Sequence, residues 1–286
     1  MFRPRPVQRS HKCPREKAGF APATVCGVKS AVSDPKALEK AVRSYLKKTD
    51  PLIDAKAVIS PHAGYMYSGA VAGAVYGAVQ VARRCIIMGP NHTGRGAPMA
   101  LFPAGQWRTP LGMAAIDEEM NSRLLAECGL LREDHTAHQR EHSLEVQVPF
   151  LQVLAGDLQL ATICVGTVDL ASLEELGHAL ARVVLSSKEP VLIVASSDMN
   201  HFESAEVNRW KDDLAIKHVI AVDPEGLHRA VCEEDISMCG FAPAVAALIC
   251  SRDMGATRGQ LVRYSHSGEV TGDCDEVVSY AGMLIN

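Results

Sequence analysis

No apolar run in this chain reaches the roughly 18 residues needed to span a bilayer. The longest runs, around Val191–Ala195 and Ala244–Cys250, have the length of core strands and helices. Neither sign of charge dominates: 29 Lys and Arg face 33 Asp and Glu, for a net charge of −4. That balance leaves no electrostatic footprint for nucleic acid and no polybasic membrane patch. The nine cysteines are odd in number, and no two form a C-x-x-C pair. This points to a reducing cytosol, and away from a disulfide framework or a thiolate zinc cage. Met1–Lys17 is basic but lacks an apolar stretch, so it does not read as a secretory signal. Residues 1–25, with four prolines in the first 22 positions and no apolar period, read as a mobile N-terminal arm.

Beyond the arm the chain is strongly patterned. Asp34-Pro35 opens a predicted helix over Pro35–Lys47, with Asp34 as N-cap and Pro35 in the first turn. Ala57–Ile59, Cys85–Met88, Leu158–Val165 and Pro190–Ala195 read as buried strands. Helices are predicted over Tyr67–Val81, Asp117–Cys128, Ser143–Leu154, Asp169–Leu185, Ala205–Ala221, Pro224–Val231 and Phe241–Ser251. Two strands close the chain, Gly259–His266 and Val277–Leu284. Strands alternating with helices imply one α/β domain over residues 26–286, its mostly parallel sheet flanked by helices on both faces. The glycines spaced four apart in Gly69–Gly77 imply close helix packing.

The placement of histidine carries the chemistry. His62 and His92 each fall just past a predicted buried strand, as do Asp198 and His201. In open α/β sheets, ligands bind beyond the carboxyl ends of the strands, so three imidazoles and one carboxylate are expected on one rim. His135, His138 and His142 form a second group that reads equally well as a solvated loop. Glu141 and Glu145, four apart on the predicted helix with His142 beside them, are candidates to sit behind a metal-bound imidazole and orient it. Cys239 lies just before a helix, where the positive dipole end favours thiolate.

Six stretches occur in a characteristic order: Pro61-His62-Ala63-Gly64-Tyr65, Gly89-Pro90-Asn91-His92, Arg108-Thr109-Pro110-Leu111-Gly112, Glu141-His142-Ser143-Leu144-Glu145, Ser196-Ser197-Asp198-Met199-Asn200-His201 and Cys239-Gly240. On these motifs the chain resembles the Memo family, called AmmeMemoRadiSam system protein B in bacteria and archaea. That family is similar in fold to the LigB-type class III extradiol dioxygenases. The resemblance implies His62, His92 and Cys239 as metal ligands, with Asp198 and His201 as the catalytic pair beside them. It implies a transition metal, iron(II) first, with copper and zinc as alternatives.

Three activities are implied by the resemblance as expectations. One is a metal-dependent, dioxygenase-like oxidoreductase. Another is a non-catalytic adaptor that binds metal or a peptide. The third is a component of a modification system beside an AMMECR-type protein and a radical SAM protein. The chain lacks C-x-x-x-C-x-x-C, so it is not itself the radical SAM enzyme. It departs from the family's usual start, with Gly27–Pro35 where a Phe-Tyr-Pro is common.

Overall fold

The computed structural model describes Ala23–Thr24 and residues 34–286. Apart from Ala23–Thr24, the expected N-terminal arm lies outside the described residues. In chain order the strands are β1 (Ala23–Thr24), β2 (Ala57–Ser60), β3 (Arg84–Pro90), β4 (Met99–Leu101), β5 (Gln106–Thr109) and β6 (Gly112–Ile116). They continue with β7 (Arg132–Glu133), β8 (Gln159–Val165), β9 (Val191–Ser196), β10 (His201–Glu203), β11 (Gly259–His266) and β12 (Val277–Ile285). Their order across one sheet is β1-β5-β6-β8-β3-β9-β2-β12-β10, with β11 on β12, β4 on β8 and β7 on β4. The central run β6-β8-β3-β9-β2 is parallel throughout. The antiparallel pairings lie outside that run: β12 with β2, β10 and β11, β5 with β6, and β4 with β8.

The central strands alternate their side chains between two hydrophobic cores. On β3, Ile86 and Met88 enter one core while Cys85 and Ile87 enter the other; on β9, Ile193 and Ala195 oppose Leu192 and Val194. Both faces are therefore buried, which is why these segments read as continuous apolar runs. Helices Glu118–Glu127, Leu170–Leu185, Ala205–Ile220, Pro224–Glu233 and Phe241–Asp253 cover one face. Helices Pro35–Tyr45, Tyr65–Ala78 and Val148–Ala155 cover the other. The caps are those the residue types favour: Asp34 accepts from the Ala37 N–H at 2.8 Å, and Asp117 and Asp169 cap in the same way. The Gly-rich helix packs as expected, since a Cβ on Gly73 would sit 2.3 Å from the Tyr45 carbonyl oxygen.

Two local expectations are corrected. The helix predicted over Ser143–Leu154 starts later, as a 3-10 turn over Glu145–Gln147 followed by α-helix Val148–Ala155. Glu141 and Glu145 thus share no helical face: residues 141–142 are irregular and 143–144 form a turn, with the Glu141 carboxylate drawn into contacts with His92. The Arg108–Gly112 motif is the turn of an unanticipated β5–β6 hairpin, with Gly112 at φ 122°. Among the described residues, no helix is long and apolar enough to cross a membrane.

Candidate metal centre

Strands β3, β9 and β2 are adjacent and parallel, so their C-terminal ends finish on one edge. His62, His92 and Asp198 each stand just beyond one of these ends. Ser60 pairs with Ser196, which brings the His62 and Asp198 loops level. The result is a tight group of imidazoles. The His62 ring lies 5.3 Å from that of His92 and 5.5 Å from that of His142, edge-on to both, and His92 stacks on His142 at 5.0 Å. One ring nitrogen from each of the three falls within 4.8 Å of the others. This cluster can bind a transition-metal ion. His142, expected behind a metal-bound imidazole, places its own ring in this cluster.

The hydrogen bonds around the rings fix their tautomers. Ser196 Oγ donates its one proton to the Ser143 carbonyl at 2.6 Å and accepts from Gln147 Nε2 at 2.8 Å. Toward His62 Nδ1, 2.9 Å away, it can then only accept. His62 therefore carries its proton on Nδ1 and presents a bare Nε2. Gln147 is locked in turn, receiving the Tyr76 hydroxyl at 2.7 Å and donating to the Pro61 carbonyl at 3.0 Å. At His92 the same outcome comes from a carboxylate: Glu141 Oε1 takes Nδ1–H at 2.9 Å and Oε2 takes the backbone N–H at 2.7 Å. A carboxylate behind an imidazole is the arrangement that orients metal-bound histidine.

Cys239 also reaches His62, with Sγ 3.3 Å from His62 Nε2. A nitrogen at ~2.0–2.1 Å and a sulfur at ~2.3 Å from one zinc ion lie about 3.1–3.6 Å apart for angles near 90–110°. The observed contact falls inside that span, so the His62 and Cys239 pair fits a metal, while among the described residues the group whose ligand atoms all lie within 4.8 Å of one another is completed by His142 and not by Cys239. Gly240 lets the thiol approach: a Cβ there would meet the Ser196 carbonyl oxygen at 2.2 Å. The Gly240 N–H also donates to Ser197 Oγ at 2.9 Å.

Burial sets the electrostatics. It lowers the pKa of His62 to about 4 and lowers that of His142 as well. His92 moves the other way, because its hydrogen bond to Glu141 outweighs its burial. Burial would raise Glu141, but the His92 ring and the Ser143 N–H hold it down at about 2. The thiolate expected of Cys239 from its helix terminus does not hold for the metal-free protein. Burial, then the nearby Asp198 charge, push its pKa well up, and without a metal it keeps its proton.

Residues 22–284 match the family described as Memo-like protein. The chain belongs to that family. A MEMO1 family protein of Methanopyrus kandleri is 38% identical over 231 residues, covering 79% of this chain and 82% of its own length. One from Aquifex aeolicus is 40% identical over 233 residues, with 81% and 86% covered. One from Caldivirga maquilingensis is 40% identical over 233 residues, with 79% and 81% covered.

In this Memo-like chain the other expected site residues divide. Asp198 is at the centre: Oδ1 accepts from the His62 and Ala63 backbone N–H groups at 2.8 and 3.3 Å, and Oδ2 lies 3.9 Å from His62 Nε2. It does not hold the His201 tautomer. Ser237 does, its carbonyl accepting from His201 Nδ1 at 2.9 Å while its hydroxyl accepts from the His201 N–H at 2.8 Å. His201 is half-buried at the start of β10, and no hydrogen bond or ring contact joins it to the three imidazoles among the described residues. Glu145 is buried in the 3-10 turn. Ser196, Gln147 and Ser237 were not expected at the site. Ser196 alone carried a signal, as the unexplained first residue of the Ser196–His201 motif.

Proposed function

We propose that this protein is a non-haem redox protein in which His62, His92 and Cys239 hold one transition-metal ion, iron(II) before copper or zinc, and that it acts with dioxygen. The observation that carries the reading is that His62 and His92, each holding its proton on Nδ1, bring ring nitrogens within 4.8 Å of one another, with a thiol sulfur 3.3 Å from His62 Nε2. Mixed imidazole and thiolate donors suit these ions, and three protein ligands leave positions for a reactant. His142 is the competing third donor.

A redox metal bound there supplies Lewis-acid polarisation and electron exchange. The protein's own groups do the rest. Glu141 and Ser196 hold the two imidazoles in place, and burial keeps water away from His62. His201, with its proton committed to the Ser237 carbonyl through Nδ1, offers Nε2 as the proton acceptor. A general base of this kind contributes about 10²–10⁴-fold to rate. The seven cysteines among the described residues are all free, which supports a reducing, cytoplasmic setting.

Anaerobic iron(II) titration tests the ligand set. Cys239→Ala should weaken binding strongly, and wild-type affinity in that variant would replace Cys239 by His142. His201→Ala should keep its metal, whereas loss of metal would make His201 a ligand.

A further inference from the structure

The centre is rich in groups that accept and poor in groups that donate. The Nε2 atoms of His62 and His92 are bare, and Asp198 and Glu141 are carboxylates. An anionic reactant entering here needs a donor besides the metal. Most tyrosines of the interior are already committed. Tyr65 donates to the Val146 carbonyl at 2.8 Å, Tyr76 to Gln147 Oε1 at 2.7 Å and Tyr264 to Asp212 Oδ2 at 2.7 Å. Tyr280 is only 2% exposed, and among the described residues no protein group accepts from its hydroxyl, whose oxygen is nonetheless not among the fully enclosed unpartnered atoms and so keeps a small opening. A phenol whose ring is buried while its hydroxyl stays open has a donor left over for whatever enters beside it.

Tyr280 does border the site. It lies on β12, which pairs with β2 through Met283 and Ile59, the strand that leads into His62. The neighbouring Ser279 is stitched to the Asp198 loop: its carbonyl accepts from the Met199 N–H at 2.8 Å, and its N–H donates to the Asn200 carbonyl at 3.1 Å. The Asp198 carboxylate and the Tyr67 phenol act electrostatically on Tyr280. Asp198 is in turn 3.9 Å from His62 Nε2.

We propose that Tyr280 is the specificity-determining hydrogen-bond donor that this centre offers to an anionic oxygen of its reactant, as in a carboxylate, enolate or hydroxamate. Burial, with the Asp198 charge, raises the phenol's pKa, so it stays protonated and able to donate across the working range. The assignment rests on the metal reading above.

The test loads the full chain with cobalt(II) and titrates it with acetohydroxamate, following the visible absorption of the bound ion. Tyr280→Phe should bind cobalt as wild type does and keep its thermal midpoint, because no internal partner is lost. Its acetohydroxamate dissociation constant should rise about tenfold, the range of one hydrogen bond to a charged oxygen. Tyr76→Phe is the control, expected to lose stability by stranding Gln147. A Tyr280→Phe variant that loses stability as Tyr76→Phe does has an internal partner, which overturns the assignment. Unchanged hydroxamate affinity in cobalt-loaded Tyr280→Phe overturns it while leaving the metal reading intact. Failure of wild type to take up cobalt removes the metal reading, and the assignment with it.

Discussion

The Glu141 carboxylate grips His92 twice, through the backbone N–H at 2.7 Å and through ring Nδ1 at 2.9 Å. A loop residue after β3 is thereby fixed by a residue 49 positions later. Glu141→Gln removes the charge while nearly conserving shape. Losing an orienting group of this kind typically costs about 10–100-fold in metal affinity. The expected outcome is a loss of that size in an iron(II) or cobalt(II) titration, with the His92 pKa falling back. Unchanged affinity would show that His92 needs no orientation or is no ligand.

His62 rests on Ser196, whose hydroxyl bridges three partners in the core. Ser196→Ala strands the Ser143 carbonyl and the Nδ1–H of His62. Each stranded buried group costs about 1–3 kcal/mol. Urea unfolding should report a loss in that range, and the imidazole 15N spectrum should show His62 no longer confined to its Nδ1–H tautomer.

Acid should destabilise the metal-free protein well above the carboxylate range. Burial lowers both His62 and His138 from 6.5 to about 4. As pH falls below 6.5 the unfolded chain takes up these protons first, so stability is lost from there down through pH 4. The gap corresponds to about 3 kcal/mol for each histidine once both states are protonated. Unfolding free energies measured at about pH 7, 5.5 and 4.5 should fall in sequence, and His138→Gln should flatten part of the slope. A flat profile over that interval would mean that neither ring is buried in its neutral form.

Gly240 sets the approach of Cys239. Alanine there places a methyl 2.2 Å from the Ser196 carbonyl oxygen and 2.5 Å from Ser197 Cβ. Both are core positions with little room to yield. Overpacking of this kind costs about 1–3 kcal/mol. Gly240→Ala should be destabilised by that much and bind metal more weakly, read from thermal unfolding and metal titration on one preparation.

Much of this arrangement is legible in the sequence, for physical reasons. β2, β3 and β9 are buried on both faces, so each reads as an unbroken apolar run, and parallel pairing then delivers His62, His92 and Asp198 to one rim. The β5–β6 hairpin was not legible. Its strands are short, and Gln106, Arg108 and Met113 are exposed, so no apolar period announces it. The non-helical stretch Glu141–Leu144 was hidden for another reason: local propensity favours helix, and contacts with His92, distant in sequence, override it. That override also brings His142 into the imidazole cluster. The tautomer of His201 depends on a carbonyl at Ser237, and a backbone atom leaves no trace in residue identity.

A metal held by His62, His92 and Cys239 is tested most directly by X-ray absorption at the metal edge of anaerobically iron-loaded protein. The expected spectrum reports one iron per chain, with nitrogen or oxygen scatterers and one sulfur at about 2.3 Å, the sulfur vanishing in Cys239→Ala. A spectrum with no sulfur shell would leave the ion to the His62, His92 and His142 imidazoles, and failure to bind iron stoichiometrically would contradict the metal centre outright.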